Sequence, residues 1–387
     1  MTRSRKLLFG LVVAALVLAA IELGAHLFLG RPPPYDLFVR VSQCHLEVGD
    51  ETVARVCPTA GREPLSIPRE KTRAHRVIFF GGSSMVRPHG NAVPTWVARR
   101  LPDVEVVNLA VEGMGAANVA RLVAEAEALT PDLIVLYSGH NDYNQNTFRG
   151  DIEGTRLWLL PVYGLMQESW IHAALARGTA PVAGTSQMER RAGVRALGTN
   201  DPTALERRDE VNARFQHDLR LALSQSSAPA LVATLLRNPE HPPTGTLTAG
   251  HPECPGFINA FDAATRDYAE QAALAEAACG EGALTWWLRS RAFALEGREA
   301  EAAEAFDRSL HLDAIPLRAP PDADEIIRAA AADLDGVRLV ELTRESELSE
   351  ASWFTDPLHF SKAGSVAVAE VLAAAIADEL GLEHRPR

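Results

Sequence analysis

A serine at the end of an apolar run and a distant Asp–His pair supply the residue types needed for nucleophilic catalysis. Ser83 follows two glycines that end the apolar run 77–80, and Asp356 and His359 lie three residues apart near the carboxyl terminus. A serine hydroxyl is a weak nucleophile until a neighbouring base takes its proton. An imidazole that is oriented by a carboxylate is such a base. These three side chains would therefore support attack on an ester carbonyl through an acyl-serine intermediate.

Two further segments contain groups that could stabilise the oxyanion formed in such an attack. Gly113 lies in the glycine-rich segment 108–115, and Asn141 follows another apolar run. The tetrahedral intermediate needs hydrogen-bond donors that are in place beforehand, and an asparagine amide is a neutral donor that does not titrate. We expect an oxyanion hole made by the N–H groups of Ser83 and Gly113 and the Asn141 amide, with Gly115 as a rival to Gly113.

These four short segments, in this order, resemble the blocks of the SGNH hydrolases, also called GDSL-type esterases. The residues that match the serine, glycine, asparagine and histidine of the family name are, in chain order, Ser83, Gly113, Asn141 and His359. Asp356 would be the family's usual third member of the triad. Gly82 stands where the family name implies aspartate. The sequence Gly-Gly-Ser-Ser at 81–84 resembles the motif of membrane-anchored members of the family. The resemblance covers about residues 75–150 and 330–380, and it implies ester hydrolysis without a metal or a cofactor.

Strands and helices alternate around these segments. Strands are predicted at residues 75–80, 104–109, 133–137, 230–236 and 337–342. Helices are predicted at residues 92–101, 116–129, 203–223, 324–334 and 364–380. This alternation predicts an α/β fold with a parallel sheet covered by helices, which agrees with the flavodoxin-like three-layer sheet that the resemblance implies. Ligands bind at the carboxyl ends of the strands in such sheets, where all four segments would lie.

A mostly helical insertion over residues 151–330 would separate the two parts of the hydrolase domain, 75–150 and 331–381. It contains the predicted fourth strand, near 230–236, and an alanine-rich stretch at 284–312 whose apolar residues have tetratricopeptide-like spacing. A solenoid needs at least about three such repeats. We therefore expect a single helical hairpin that packs on the main domain.

Three more residues are tentative substrate contacts. Gly82 would let the backbone approach a substrate closely. Asn238 follows the predicted fourth strand and would lie at the same sheet edge. Arg318 follows the hairpin and could hold an anionic or sugar-like substrate, although a solvated surface arginine is the alternative interpretation.

The N-terminal segment predicts a membrane anchor. Residues 7–30 are apolar apart from Glu22 and one histidine, and three basic residues precede them in the tip 1–6. This stretch fits a spanning helix of about 20 residues and exceeds the ~7–15-residue core of a cleaved signal peptide, which is the rival. Basic residues on the leading side place the bulk of the chain outside the cytoplasm. The proline-rich start of 31–74 predicts an extended linker, and 382–387 is a tail.

Charge and cysteine usage limit the partners and the compartment. The net charge is −12, and no dense Lys/Arg run follows the first six residues, which argues against nucleic acid as a partner. The four cysteines fall into the neighbouring pairs Cys44/Cys57 and Cys254/Cys279. Disulfides within each pair are our hypothesis, although four cysteines allow three connectivities. Such bonds would fit an oxidising compartment.

The predicted function is that of a single-pass serine ester hydrolase of the inner or plasma membrane, with its catalytic domain on the periplasmic or extracellular side. Its substrates would be O-acyl esters, such as acetyl esters, of carbohydrate or lipid. One alternative is an O-acyltransferase in the modification of envelope polysaccharide. Another is a non-catalytic envelope scaffold on the same fold, with the hairpin as its binding element.

Overall fold

The computed structural model describes the chain over residues 3–29, 44–57, 65–143, 169–179, 208–243, 267–313, 316–344 and 350–383. The strands are β1 His45–Val48, β2 Thr52–Val56, β3 Leu65–Pro68, β4 His75–Gly81, β5 Val104–Asn108, β6 Leu133–Tyr137, β7 Ala230–Ala233 and β8 Val337–Val340. The helices are α1 Arg3–Leu29, α2 Val93–Arg100, α3 Ala116–Ala126, α4 Trp170–Thr179, α5 Arg208–Ser224, α6 Tyr268–Cys279, α7 Ala283–Leu295, α8 Glu299–Leu312, α9 Asp322–Asp333 and α10 Lys362–Glu379.

Five parallel strands form the central sheet, in the order β5-β4-β6-β7-β8. In sequence order this is 2-1-3-4-5, the doubly wound order of flavodoxin-like folds. Strand β6 and the part of β4 after Arg76 are continuous apolar runs without exposed side chains, as expected for parallel strands covered on both faces. The helices pack as two groups, α2 with α10 and α3 with α5 and α9. The predicted α/β fold class is confirmed.

The strand β7 ends before the predicted end at residue 236. The N–H of Leu235 donates to Asp324 Oδ1 at 2.8 Å, and the N–H of Leu236 donates to the Tyr137 hydroxyl at 3.0 Å. Because these side chains take the place of a neighbouring strand, the ladder stops and the chain turns towards the sheet edge. The residues that follow β7 are thereby directed to the candidate site.

The lead-in to the central sheet contains structure that the sequence analysis missed. Strands β1, β2 and β3 form an antiparallel sheet within the predicted linker. Each strand has only four or five residues, too few for a clear alternation of apolar and polar positions. The disulfide predicted between Cys44 and Cys57 is present and flanks β1 and β2. The predicted Cys254–Cys279 bond lies outside the described side chains.

A buried arginine joins this small sheet to the central one. The Arg76 guanidinium is fully buried and donates to both Glu105 carboxylate oxygens at 2.9 and 3.0 Å. It also donates to four backbone carbonyls, those of Pro68, Arg69, Glu70 and Leu129. These acceptors satisfy all of its N–H groups, as a buried charge requires. Arg76 therefore fixes the chain after β3 against β4 and β5.

The N-terminal helix α1 contains a stretch, Phe9–Leu29, that is long and apolar enough to cross a membrane by length and composition. Glu22, the acidic residue within this apolar stretch, contacts another helix. In the structure its carboxylate accepts hydrogen bonds from the N–H groups of Trp170 and Ile171 at 2.5 and 3.0 Å. Glu22 therefore caps the start of α4, since the first N–H groups of a helix lack intrahelical acceptors.

The predicted hairpin at 284–312 corresponds to α7 and α8, and α6 packs on α7. These helices have a small core separate from the main one, formed by Ala272, Ala275, Leu284, Trp287 and Leu288. The hairpin is joined to the main domain through the chain after β7, as described below.

Candidate active site

The serine of the first motif stands at the carboxyl end of the central strand. Strand β4 ends at Gly81, whose φ of +156° would be strained for other residues. A Cβ at Gly81 would also lie 2.4 Å from the Tyr137 carbonyl oxygen on the neighbouring strand. After Gly82, a 3₁₀ turn over Ser83–Met85 begins. The turn places the half-buried Ser83 side chain at the sheet edge, as the sequence predicts.

The structure brings Ser83, His359 and Asp356 together. Ser83 Oγ lies 2.7 Å from His359 Nε2, and His359 Nδ1 lies 2.5 Å from Asp356 Oδ2. An ionised carboxylate can only accept, so Nδ1 carries the hydrogen. Nε2 is then the acceptor for the Ser83 hydroxyl. This is the geometry of a nucleophile, a base and a group that orients the base.

The carboxylate of Asp356 is kept ionised by hydrogen bonds. Partial burial would raise its pKa, but the hydrogen bond from His359 and two backbone N–H groups lower the pKa of Asp356 to about 2. These N–H groups belong to Leu358 and His359 and donate to Oδ1 at 3.0 and 2.9 Å. Oδ2 is therefore left for the imidazole.

A compact loop between β8 and α10 presents this Asp–His pair. The N–H of Thr355 donates to the His359 carbonyl at 2.8 Å, which closes the loop. The Ser84 hydroxyl donates to the Leu358 carbonyl at 3.2 Å and joins the loop to the turn after β4. We call residues 356–359 the Asp–His loop.

The proposed oxyanion donors converge on the same edge. The Asn141 amide donates to the Met114 carbonyl at 2.9 Å and leaves a second N–H on the same nitrogen. Gly113 has a φ of +76°, a conformation that glycine adopts without strain. The Ser83 N–H is the first of its 3₁₀ turn, where a helix has no internal acceptor.

A buried aspartate that the sequence analysis did not assign holds these segments together. Asp142 Oδ1 accepts the N–H of Ala116 at 2.7 Å, and Oδ2 accepts the Ser138 hydroxyl at 3.3 Å. Burial, with the nearby charge of Asp218, raises the pKa of Asp142 to about 7, although the hydrogen bonds from Ala116 and Ser138 lower it. Its position directly after Asn141 was the only sequence signal.

The side chain of His140 lines a small cavity beside Ser83. The cavity is lined by Gly82, Ser83, Ser84, Tyr137, Ser138, Gly139, His140, Asn141 and Leu358. The His140 Nδ1 accepts the N–H of Ala319 at 3.0 Å. Burial, with the charges of Arg237 and His359, holds the pKa of His140 well below its usual value. His140 is therefore a neutral wall of the site.

Of the two tentative substrate contacts outside the motifs, Asn238 contacts the Asp–His loop and Arg318 contacts the chain that contains Asn238. The Asn238 side-chain amide donates to the Asp356 carbonyl at 3.1 Å. Arg318 is 1% exposed, so the alternative of a solvated surface arginine is wrong. Its Nη1 donates to the carbonyls of Asn238 and His241 at 2.7 and 2.6 Å. Desolvation lowers the pKa of Arg318 to about 10, so it stays charged at neutral pH.

Within the described ranges, no cluster of three or more His, Cys, Asp or Glu residues has the geometry to hold a metal ion.

Comparison with known proteins gave structural likenesses only. No family model matches the sequence, and no curated protein matches it. Phospholipase A1 from Streptomyces albidoflavus shares 13% identity over 78% of this chain and 98% of its own, with a TM-score of 0.35. A G-D-S-L family protein from Desulfitobacterium hafniense shares 11% identity over 77% of this chain and 98% of its own, with a TM-score of 0.34. At these identities and TM-scores, the likenesses say nothing about the function of this chain.

Proposed function

We propose that this protein is a serine ester hydrolase with Ser83 as nucleophile, His359 as base and Asp356 as the group that orients the base. The observation that carries the proposal is the continuous hydrogen-bonded chain of 2.7 and 2.5 Å through these three side chains. It lies at the carboxyl edge of a parallel sheet, where α/β proteins bind ligands. The sequence resemblance to SGNH hydrolases supports the same roles.

In the proposed reaction, His359 Nε2 takes the Ser83 proton while Oγ bonds to the ester carbonyl carbon. The N–H groups of Ser83, Gly113 and Asn141 stabilise the negative oxygen of the tetrahedral intermediate. The carbon–oxygen bond to the leaving alcohol then breaks, and the imidazolium returns its proton to that alcohol. Water attacks the acyl-serine with the same proton transfers and releases the acid. Every step uses side chains and backbone N–H groups of the protein, together with water.

The proposed substrates are O-acyl esters, such as acetyl esters, of carbohydrate or lipid. We also propose a location at the inner or plasma membrane, with helix α1 as the anchor and the site outside the cytoplasm. The apolar stretch Phe9–Leu29 supports the anchor. The Cys44–Cys57 disulfide supports an oxidising compartment.

A fluorophosphonate probe tests the nucleophile directly, because it forms a covalent adduct only with an activated hydroxyl. Full-length protein in detergent is expected to give one adduct, mapped to Ser83, and to hydrolyse an activated acetyl ester. Ser83→Ala is expected to lose both. The matched control is Ser224→Ala, a serine on the exposed surface of α5, which should be labelled like the unchanged protein. Absence of any adduct on the folded protein would reject the proposal.

A further inference from the structure

We infer that Asn238 is a positioning residue for the Asp–His loop and that the α7–α8 hairpin holds Asn238 in place. The inference rests on the proposed function, and it gives the hairpin a part in catalysis. The segment 238–241 contacts the Asp–His loop on one side and the hairpin on the other.

Asn238 binds two successive carbonyls of the Asp–His loop. Its side-chain amide donates to the Asp356 carbonyl at 3.1 Å, and its backbone N–H donates to the Pro357 carbonyl at 3.0 Å. Its own Oδ1 accepts the N–H of Glu240 at 3.0 Å, which fixes the orientation of the amide. The side chain is buried. Asn238 therefore clamps the backbone from which the orienting carboxylate projects.

The hairpin holds the same segment through helix α7. The Trp287 indole N–H donates to the Pro239 carbonyl at 3.0 Å. One turn further along α7, Arg291 donates to the Glu240 carboxylate at 2.7 Å. The two residues that follow Asn238 are thus both bonded to helix α7.

Arg318 holds the segment from a second side. Its charged Nη1 donates to the Asn238 and His241 carbonyls, and charge-assisted hydrogen bonds of this kind are stronger than neutral ones. The guanidinium also lies over the ring of Phe306 on α8, 5.3 Å from the ring centre. Helix α7 therefore contacts the segment 238–241 directly, and α8 contacts it through Arg318.

The kinetic consequence follows from the geometry of proton transfer. A misplacement of about 1 Å in a catalytic group can cost on the order of 100-fold in rate. Asn238 bonds the backbone carbonyls of Asp356 and Pro357, and it is not among the described residues that line the cavity beside Ser83. Loosening it should therefore lower kcat and leave KM nearly unchanged.

The test compares single substitutions in the full-length protein in detergent. Asn238→Asp is isosteric and replaces the N–H donor to the Asp356 carbonyl by an oxygen; we expect kcat to fall about 10- to 100-fold with KM within about twofold. Trp287→Phe removes the indole N–H that donates to the Pro239 carbonyl, together with part of the ring, and we expect kcat to fall about 3- to 10-fold. Its matched control is the adjacent Trp286→Phe, whose indole has no hydrogen-bond partner among the described residues and which should leave kcat unchanged.

A proton NMR spectrum supplies a readout that a purely structural role would not move. The Nδ1 hydrogen between His359 and Asp356 should give a low-field resonance, which we expect to shift or broaden in Asn238→Asp and to stay in Trp286→Phe. If kcat and this resonance are unchanged in folded Asn238→Asp and Trp287→Phe proteins, the inference is wrong. If Ser83 is not labelled by the probe, the proposed hydrolase function is wrong. The resonance would still show in that case whether Asn238 positions the Asp–His loop. If Asn238→Asp does not fold, Trp287→Phe alone decides.

Discussion

The Asn141 side-chain amide lies so close to Gly82 that a Cβ at position 82 would come within 2.1 Å of Asn141 Nδ2. The Met114 carbonyl, which accepts the hydrogen bond from this amide, would be 3.2 Å from the same Cβ. Gly82 stands where the motif that this segment resembles has an aspartate. The absence of a side chain at this position is therefore matched by the close approach of Asn141. Glycine at position 82 lets the proposed oxyanion donor occupy its place.

Gly82→Ala should consequently impair catalysis more than folding. The added methyl group must displace the Asn141 amide. Because this amide is the end of a side chain and not part of the backbone, the fold can accommodate the methyl group. Loss of one oxyanion donor typically costs about 100- to 1,000-fold in kcat. We expect a fall approaching that range, with a small change in melting temperature. Gly282→Ala, at a site with no atom near the new methyl group, is the control. Equal kcat values for the two variants would contradict this role for Asn141.

Asp356→Asn should move the imidazole hydrogen of His359 from Nδ1 to Nε2. Because two backbone N–H groups occupy Oδ1, the new amide nitrogen must face His359 Nδ1. Nδ1 then accepts, Nε2 carries the hydrogen, and the Ser83 proton has no acceptor. We expect kcat to fall on the order of 10³- to 10⁴-fold with KM little changed. The exposed Asp335→Asn is the control, and a loss below tenfold in Asp356→Asn would refute the assigned orientation.

The same carboxylate should contribute no step to the pH profile near neutrality. The pKa of Asp356 is about 2, so it stays ionised as the pH falls from 8 to 4. Any loss of activity over that interval must be caused by the titration of another group. The same loss should therefore be seen in Asp356→Glu.

Asp142 predicts a pH dependence of stability. Its pKa is about 7 in the folded protein and about 4 when unfolded. The folded state thus binds one more proton between these values, and the free energy of unfolding from this group falls as the pH rises from about 4 to 7. Asp142→Asn keeps the acceptor for the Ala116 N–H but cannot ionise. Chemical denaturation at pH 5 and pH 8 should show a smaller difference for this variant than for the unchanged protein; equal differences would contradict the raised pKa.

Arg76→Met should destabilise the protein by leaving Glu105 and four carbonyls without their buried donor. Removing one member of a buried ion pair typically costs about 3–5 kcal/mol. Arg338→Met, which breaks a surface pair with Asp378, should cost less than about 1 kcal/mol. Urea denaturation measures both, and similar costs would show that Arg76 contributes little.

The central sheet could be predicted because its strands are long apolar runs that alternate with helices. The run 133–137 was predicted with the bounds of β6, and the other predicted strands differ from the observed ones only at their ends. Strands β1 to β3 were not predicted because a short strand shows no clear alternation of apolar and polar residues. Its stability depends on the strands with which it pairs.

The residues of the candidate site could be named from the sequence because short motifs carry their chemical types in a fixed order. Ser83, Asp356 and His359 were grouped in this way, and the structure places them in hydrogen-bond contact. Their catalytic roles remain a proposal. The burial of Arg318 and the raised pKa of Asp142 could not be predicted, because desolvation depends on atoms contributed by distant segments.

The sequence by itself determined the α/β alternation, the apolar N-terminal helix and the residue types available for ester chemistry, since these follow from local pattern. Only the tertiary structure decided that Asn238 binds the Asp–His loop and that Trp287 and Arg318 bind the chain beside it. The physical reason is that a hydrogen bond depends on distance and angle within a few tenths of an ångström. Contacts between residues far apart in the chain acquire that precision only when the whole sheet and hairpin have packed.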